Sequence, residues 1–140
     1  EPRDFGYKIR QGPGDNNALG RLKFMFPNHF NIYMHDTPSR SLFARAQRSF
    51  SHGCIRVMNP PELAEVVLAS HPEWDLEQIH RTIDGGERTV VSLPEPLPVH
   101  LSYQTAWVNK DGSVHFRSDI YDRDVVLAEA LMGTRVGRTF

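Results

Sequence analysis

Breaks that contain proline or glycine recur along the whole chain and divide it into short segments. The 140 residues include ten prolines and ten glycines. Many of them stand in turn-forming stretches, where proline fixes the backbone and glycine permits unusual conformations. These stretches are residues 12–17, 27–28, 37–38, 60–61, 85–86, 94–98 and 109–112. Strands with a few short helices between such breaks predict a mainly β protein with flanking helices, in the α+β class.

The hydrophobic pattern of each segment predicts its secondary structure. Predicted strands are residues 5–11, 21–26, 31–35, 88–93, 99–108 and 114–117, with a hairpin turn at residues 109–112. A helix is predicted to begin at Pro60 and to bury Leu63, Val66, Val67 and Ala69. Further helices are predicted at residues 76–83, with Asp75 as the N-cap, and at residues 125–132. Residues 39–49 are predicted as a weak helix or a structured loop.

Length and composition suit one globular domain that buries a core without metal or disulfide. No apolar run approaches the ~20 residues of a membrane span. No basic-then-apolar signal segment opens the chain, so its compartment is not readable from targeting signals.

Positive charge is concentrated in one part of the chain. Residues 16–61 carry six cations and the single acid Asp36, a net charge of +5, whereas the whole chain carries −1. The remainder therefore carries −6. A local excess of cations indicates an anionic ligand, or simply a solvated arginine-rich face. Nucleic acid is a poor candidate partner, because the chain is not basic overall and contains no recognisable nucleic-acid module.

Cys54 is the only cysteine in the chain. A single cysteine excludes an internal disulfide framework and a multi-cysteine zinc site. A lone cysteine is most often a small buried hydrophobe, so a catalytic interpretation depends on its neighbours.

Two histidines are candidate bases for that thiol, which attacks carbonyls well only as a thiolate. His52 stands two positions before Cys54, and His35 stands nineteen positions before it. Residues two apart share one face of an extended backbone, so His52 can touch the sulfur, whereas a turn at Gly53 can rotate it away. A neighbouring strand or loop can instead bring His35 to Cys54. The spacing alone leaves this choice open.

Arg56 and Gly53 supply two further requirements of acyl transfer. Arg56 is close enough in sequence to stabilise a thiolate or to bind a substrate carboxylate through its planar guanidinium. Gly53 lets backbone N–H groups approach a reacting carbonyl, as an oxyanion hole requires.

The order histidine, intervening loop, then Ser51-His52-Gly53-Cys54 resembles the signature of the L,D-transpeptidases, the YkuD-type catalytic domain. The surrounding sequence resembles that of the large periplasmic YcbB-like branch of that family. The stretches that carry this likeness are residues 17–21, 23–27, 33–38, 49–57, 94–99 and 103–107.

The resemblance implies a role for each residue of the motif. Cys54 would be the nucleophile and His35 the general base and later acid. Asp36 would orient the imidazole, through its backbone carbonyl in that family. The backbone N–H groups of His52, Gly53 and Cys54 would form the oxyanion hole. The residues implied to line the substrate cleft are Tyr33, Ser51 and Arg56.

The same resemblance implies the context of the domain. It implies a β-sandwich, here incomplete at its N-terminus, and a catalytic domain over residues 1–140 that is the C-terminal part of a longer chain. The implied activity forms peptidoglycan cross-links between peptide stems, in the periplasm of a Gram-negative bacterium, with no cofactor. Carbapenem-type β-lactams are implied as inhibitors.

Three alternatives stay open at this level. With water as the acceptor the enzyme would be an L,D-carboxypeptidase. A catalytically silent peptidoglycan-binding domain would bury Cys54 and leave it unreactive. A metal site built from His35, His52 and Cys54 is the least favoured, because their spacing is unlike that of compact zinc motifs.

Overall fold

The computed structural model describes residues 6–7 and 9–133. The chain divides into two compact units, Glu1–Val99 and His100–Phe140. The segment that carries both histidine candidates and Cys54 lies in the first unit.

A three-stranded sheet organises the first unit. Its strands, in sheet order, are β1 (Lys23–Phe24), β2 (Met34–His35) and β3 (Ile55–Arg56). The central strand β2 is antiparallel to β1 and parallel to β3. Parallel neighbours need a crossover connection, and the one between β2 and β3 contains a 3₁₀ helix, Arg40–Ala44. This crossover brings the chain back so that the cysteine-bearing segment runs beside the histidine-bearing strand.

Asn28 shapes the loop between β1 and β2. Its side-chain oxygen accepts hydrogen bonds from the N–H groups of Phe30 and Ile32, each at 3.0 Å. Its amide nitrogen donates to the carbonyls of Phe26 at 3.0 Å and Ile32 at 2.7 Å. Asn31 in the same loop has a φ of 53°, a left-handed conformation that asparagine visits more readily than most residues. The break predicted here is therefore a turn stabilised by hydrogen bonds.

Two helices pack together behind the sheet, α1 (Pro60–Val67) and α2 (Leu76–Asp84). Both begin where the sequence predicts. Pro60 occupies the first turn of α1, where a missing N–H costs nothing. Asp75 is the N-cap of α2, and its carboxylate accepts the N–H of Gln78 at 2.7 Å, which satisfies one of the free donors of the first turn.

The core of the first unit lies where these helices meet. The buried residues are Ala64, Leu68 and Ile79, and the half-buried residues packed against them are Leu22, Phe24, Trp74, Ile83, Val91 and Leu93. The predicted apolar stripe of α1 is wrong at Val66, which is 71 % exposed, and at Ala69, which is exposed and follows the end of the helix. The helix instead turns Pro60, Ala64 and Leu68 inwards, residues that share one face because they are four positions apart.

The second unit contains a hairpin and one helix. Strands β4 (Ala106–Val108) and β5 (Val114–Phe116) are antiparallel around the predicted turn, and α3 (Arg123–Met132) follows. The carboxylate of Asp119 accepts the hydroxyl of Tyr103 at 2.6 Å and the N–H of Asp124 at 2.6 Å. Thr105 donates its hydroxyl to the carboxylate of Asp124 at 2.7 Å. These bonds join the start of α3 to the segment before the hairpin.

The described residues form a mixed α+β fold, with shorter strands than the sequence predicts. Residues 88–93 form no strand, and only Ala106–Val108 of the predicted strand 99–108 is one. Residues 6–7 and 9–11 of the first predicted strand are irregular, and its residues 5 and 8 lie outside the described residues. Apolar alternation alone does not make a strand, because backbone N–H and C=O groups also need a neighbouring strand as partner.

Candidate active site

One face of the sheet collects the residues that the motif singles out. The pairing sets His35 opposite Arg56 on one side and opposite Lys23 on the other. Tyr33 precedes His35 by two positions, and Cys54 precedes Arg56 by two. Because side chains two apart along a strand project to the same side, these five residues share one face. The neighbouring residues Leu22 and Phe24 lie on the other side, towards the helices.

The imidazole of His35 is buried and held in one orientation. The side chain is 4 % exposed, and its Nδ1 makes a short hydrogen bond with the backbone carbonyl of Asp36. Because a carbonyl oxygen can only accept, Nδ1 carries the hydrogen. In the neutral ring Nε2 then has a free lone pair, as a proton acceptor requires. The ring of Tyr33 meets that of His35 edge to face, with 5.8 Å between ring centres.

The thiol of Cys54 lies half-buried beside Tyr33. Its Sγ is 4.0 Å from the carbonyl oxygen of Asn31. Burial, followed by the hydrogen bond and the charge of Cys54, raises the pKa of the Tyr33 phenol. The ammonium of Lys23 lies 3.6 Å above the Tyr33 ring centre, within the range of a cation–π interaction. The thiol thus lies beside a phenol whose ring is in contact with a cation.

His35 and Cys54 are diagonal neighbours on adjacent strands. The N–H of Ile55 donates to the carbonyl of Tyr33 at 3.0 Å, which aligns Cys54 with the residue two positions before His35. Within the described residues no hydrogen bond joins Sγ to the His35 ring. Catalytic hydrogen bonds are often long before substrate binds. His52, the other candidate base, is exposed.

The turn before Cys54 is stabilised by Ser51. Its hydroxyl donates to the carbonyl of Cys54 at 2.7 Å and accepts the N–H of Gly53 at 3.3 Å. Gly53 has a φ of 140°, and a Cβ at this position would lie 3.4 Å from the side chain of Ile32. Within the part of the chain that the structure describes, the N–H groups of His52 and Cys54 have no acceptor. They are available to a developing oxyanion.

Arg56 supplies an unneutralised positive charge on the same face. Its side chain is half-buried, and among the described residues its guanidinium has no hydrogen bond or ion pair. Lys23, opposite the same histidine, is exposed. A planar guanidinium of this kind binds carboxylates with two parallel hydrogen bonds.

Asp36 connects the site to residues that the sequence did not single out. Its side chain is 10 % exposed and accepts from the N–H of Arg21 and the guanidinium of Arg40, each at 3.0 Å. Gly20 packs directly against it. A cavity of about 400 Å³ adjoins this cluster. One sequence signal could have identified this cluster: Asp36 is the only acid among the cations of residues 16–61.

No three histidine, cysteine, aspartate or glutamate side chains among residues 6–7 and 9–133 converge as metal ligands would. No helix in that same part of the chain is long and apolar enough to cross a bilayer.

Comparison with known proteins identifies the class. The sequence profile of the YkuD family, the L,D-transpeptidase catalytic domain, matches residues 1–92. A Haemophilus influenzae protein provisionally named an L,D-transpeptidase is 39 % identical over 127 residues, which cover 89 % of this chain and 25 % of that protein. The chain belongs to the L,D-transpeptidase catalytic domain family. It spans about a quarter of the length of this curated relative.

Proposed function

We propose that this chain catalyses peptidoglycan cross-linking as a cysteine L,D-transpeptidase, with Cys54 as the nucleophile and His35 as its base. One observation carries the proposal: the β2–β3 register sets an imidazole with a free Nε2 and the only thiol of the chain on one sheet face. Membership of the family supports the general activity. The mechanism and the substrate follow from the chemistry of the site.

The first step acylates the enzyme. His35 takes the proton of Cys54, and the thiolate attacks the carbonyl carbon of the third stem residue, a diaminopimelate-type L-centre. A C–S bond forms, the C–N bond to the terminal D-alanine breaks, and His35 returns the proton to the leaving amine. Free backbone N–H groups of the 52–54 turn stabilise the intermediate oxyanion.

The second step transfers the acyl group. An amine of a neighbouring stem attacks the thioester, His35 removes its proton, and the Cys54 thiol is regenerated as the new amide forms. No cofactor takes part. Water in place of the amine gives an L,D-carboxypeptidase, so the acceptor decides between these two activities.

Charge on the sheet face supports an anionic stem as the donor. Lys23 and Arg56 stand on the two sides of His35, and peptide stems carry free carboxylates that a guanidinium binds well. Tyr33 lies next to the thiol and would contact the same donor. Ser51 stabilises the turn before Cys54 and would line the cleft beside it.

The finer assignments belong to the same proposal. We assign the chain to the YcbB-like branch, because the residues around the motif resemble that branch. We also assign it the β-sandwich of the family, acylation by carbapenem-type β-lactams, and a periplasmic location. Carbapenems fit because their strained amide presents an acyl group to the same thiolate.

The test is acylation of the full chain by a tetrapeptide stem. Intact mass spectrometry should show an adduct equal to the stem minus D-alanine, with free D-alanine released in equal amount. Cys54→Ala should form no adduct while keeping its thermal unfolding midpoint. Turnover by a folded Cys54→Ala protein would remove Cys54 as the nucleophile, and the absence of any adduct on the unsubstituted protein would remove the activity.

A further inference from the structure

The carboxylate of Asp36 is the centre of a buried hydrogen-bond cluster beside the site. Its two oxygens have different partners: Oδ2 accepts the backbone N–H of Arg21, and Oδ1 accepts Nη2 of Arg40. The Asp36 side chain is nine-tenths buried, whereas that of Arg40 is about half exposed. Both donors are matched to a full negative charge, which makes such hydrogen bonds stronger than neutral ones.

Arg40 also ties the two strands of the site together. Its other terminal nitrogen, Nη1, donates to the backbone carbonyl of Met58, two residues after the end of β3. One guanidinium therefore holds the segment after β2 against the segment after β3. The N–H of Val57 reinforces the link by donating to the carbonyl of His35 at 2.9 Å.

Gly20 completes the cluster by leaving room for the carboxylate. A Cβ at Gly20 would overlap the side chain of Asp36. The residue has a φ of +63°, in the left-handed region that glycine enters at no steric cost.

We propose that the Asp36 carboxylate, Arg40 and Gly20 form a positioning clamp that orients the His35 imidazole through the backbone carbonyl of Asp36. The inference deepens the proposed function and rests on it for the role of His35. The carbonyl that accepts Nδ1–H belongs to the residue whose side chain the clamp fixes. A shift of that residue would turn the ring and move Nε2 away from the thiol.

The clamp predicts the effect of isosteric changes. Asparagine at position 36 has one oxygen for two donors, so either the N–H of Arg21 or the guanidinium of Arg40 would face an NH₂ group. Methionine at position 40 keeps the aliphatic stem and removes both donated bonds. Each change should loosen the carbonyl without altering any residue that contacts substrate.

The readout is the rate at which iodoacetamide alkylates Cys54 in the full chain, followed by peptide mass spectrometry. This rate depends on the thiolate and needs no peptidoglycan chemistry, so it is independent of the proposed activity. Arg40→Met and Asp36→Asn should each slow alkylation at neutral pH by about tenfold or more, as the loss of at least one charge-assisted hydrogen bond implies. Arg81→Met is the matched control, because among the described residues the side chain of Arg81 forms only an exposed ion pair with Glu77 at 3.8 Å.

A double variant separates positioning from a merely structural role. If the clamp acts through the ring, Arg40→Met should change alkylation by less than about twofold in a His35→Gln background, within the scatter of additive effects. An equal slowing in both backgrounds would overturn the proposal, and so would an Arg40→Met rate equal to that of Arg81→Met. If Arg40→Met does not fold, Arg40→Lys, which retains a cationic donor, is compared in the same two backgrounds.

Formate gives a second test in Asp36→Ala. The cavity beside the cluster is lined by Asp36, Arg40 and Arg21, so a small carboxylate can enter and occupy the vacated position. Formate should raise the alkylation rate of Asp36→Ala and leave that of Asp36→Ala/Arg40→Met unchanged. Equal responses of the two variants would contradict the clamp. Stem acylation of the unsubstituted protein, measured in parallel, reports on the proposed function separately.

Discussion

Replacing Gly20 by alanine tests how closely the site depends on the packing around Asp36. Gly20 has a φ of +63°, and the added methyl group would overlap the carboxylate of Asp36. Gly86 is a matched control, because its φ is +70° but a Cβ there would meet nothing within 4 Å. The two variants therefore share the backbone strain and differ in the overlap.

The expected loss of stability can be estimated from these two contributions. A left-handed alanine costs roughly 1–2 kcal/mol, and the reduced entropy of the unfolded chain returns about 0.4–1 kcal/mol. Gly86→Ala should therefore destabilise by about 0–1.6 kcal/mol. Gly20→Ala adds an overpacking cost of about 1–3 kcal/mol, because its neighbour is a buried side chain held by two hydrogen bonds.

The assay is urea unfolding followed by tryptophan fluorescence. The chain has two tryptophans, Trp74 in the first unit and Trp107 in the second. All variants are made in a Trp107→Phe background, so that Trp74, which packs against the core, reports on the first unit alone. A Gly20→Ala protein no less stable than Gly86→Ala would refute the close packing of Gly20 on Asp36.

Two further changes test the helix ends. Asp75→Ala should lower the free energy of unfolding by about 0.5–2 kcal/mol in the same urea assay, because α2 loses its N-cap; an unchanged midpoint would contradict this. In the second unit, the hydrogen bond from Tyr103, followed by that from a backbone N–H at the start of α3, lowers the pKa of Asp119. The ionised Asp119 carboxylate contributes its full stabilisation at pH values above the ordinary pKa of aspartate. This stabilisation is lost as the pH falls through the lowered pKa. Tyr103→Phe should be less stable near neutral pH and show a smaller loss on acidification, measured by Trp107 fluorescence; identical acid titrations of both proteins would contradict it.

Local signals in the sequence predicted the helices well. Proline in the first turn of α1 and an aspartate N-cap on α2 are short-range features, and α1, α2 and the 109–112 turn occur where they were expected. The extents of the strands depend on partners distant in sequence. Val91 and Leu93 have the pattern of a strand, yet they pack against the core from an irregular segment.

The residues of the candidate site could be named from the sequence, but their arrangement could not. The cysteine, two histidines and a permissive glycine could be read from one motif. The choice between His35 and His52 depends on the parallel register of β2 and β3, which no local pattern encodes. The contact of Gly20 with Asp36 and the bond from Arg40 to Met58 likewise join residues 16 and 18 positions apart. Such contacts exist only once the strands of the sheet have paired.

The rate at which a tetrapeptide stem acylates Cys54, compared between the unsubstituted protein and His35→Gln, tests the central claim most directly. Peptide mass spectrometry of quenched samples locates the adduct. The account predicts an adduct on Cys54 that forms rapidly with His35 present and about 10²–10⁴-fold more slowly without it, the usual contribution of a general base. An equally fast adduct in folded His35→Gln, or an adduct on a residue other than Cys54, would contradict it.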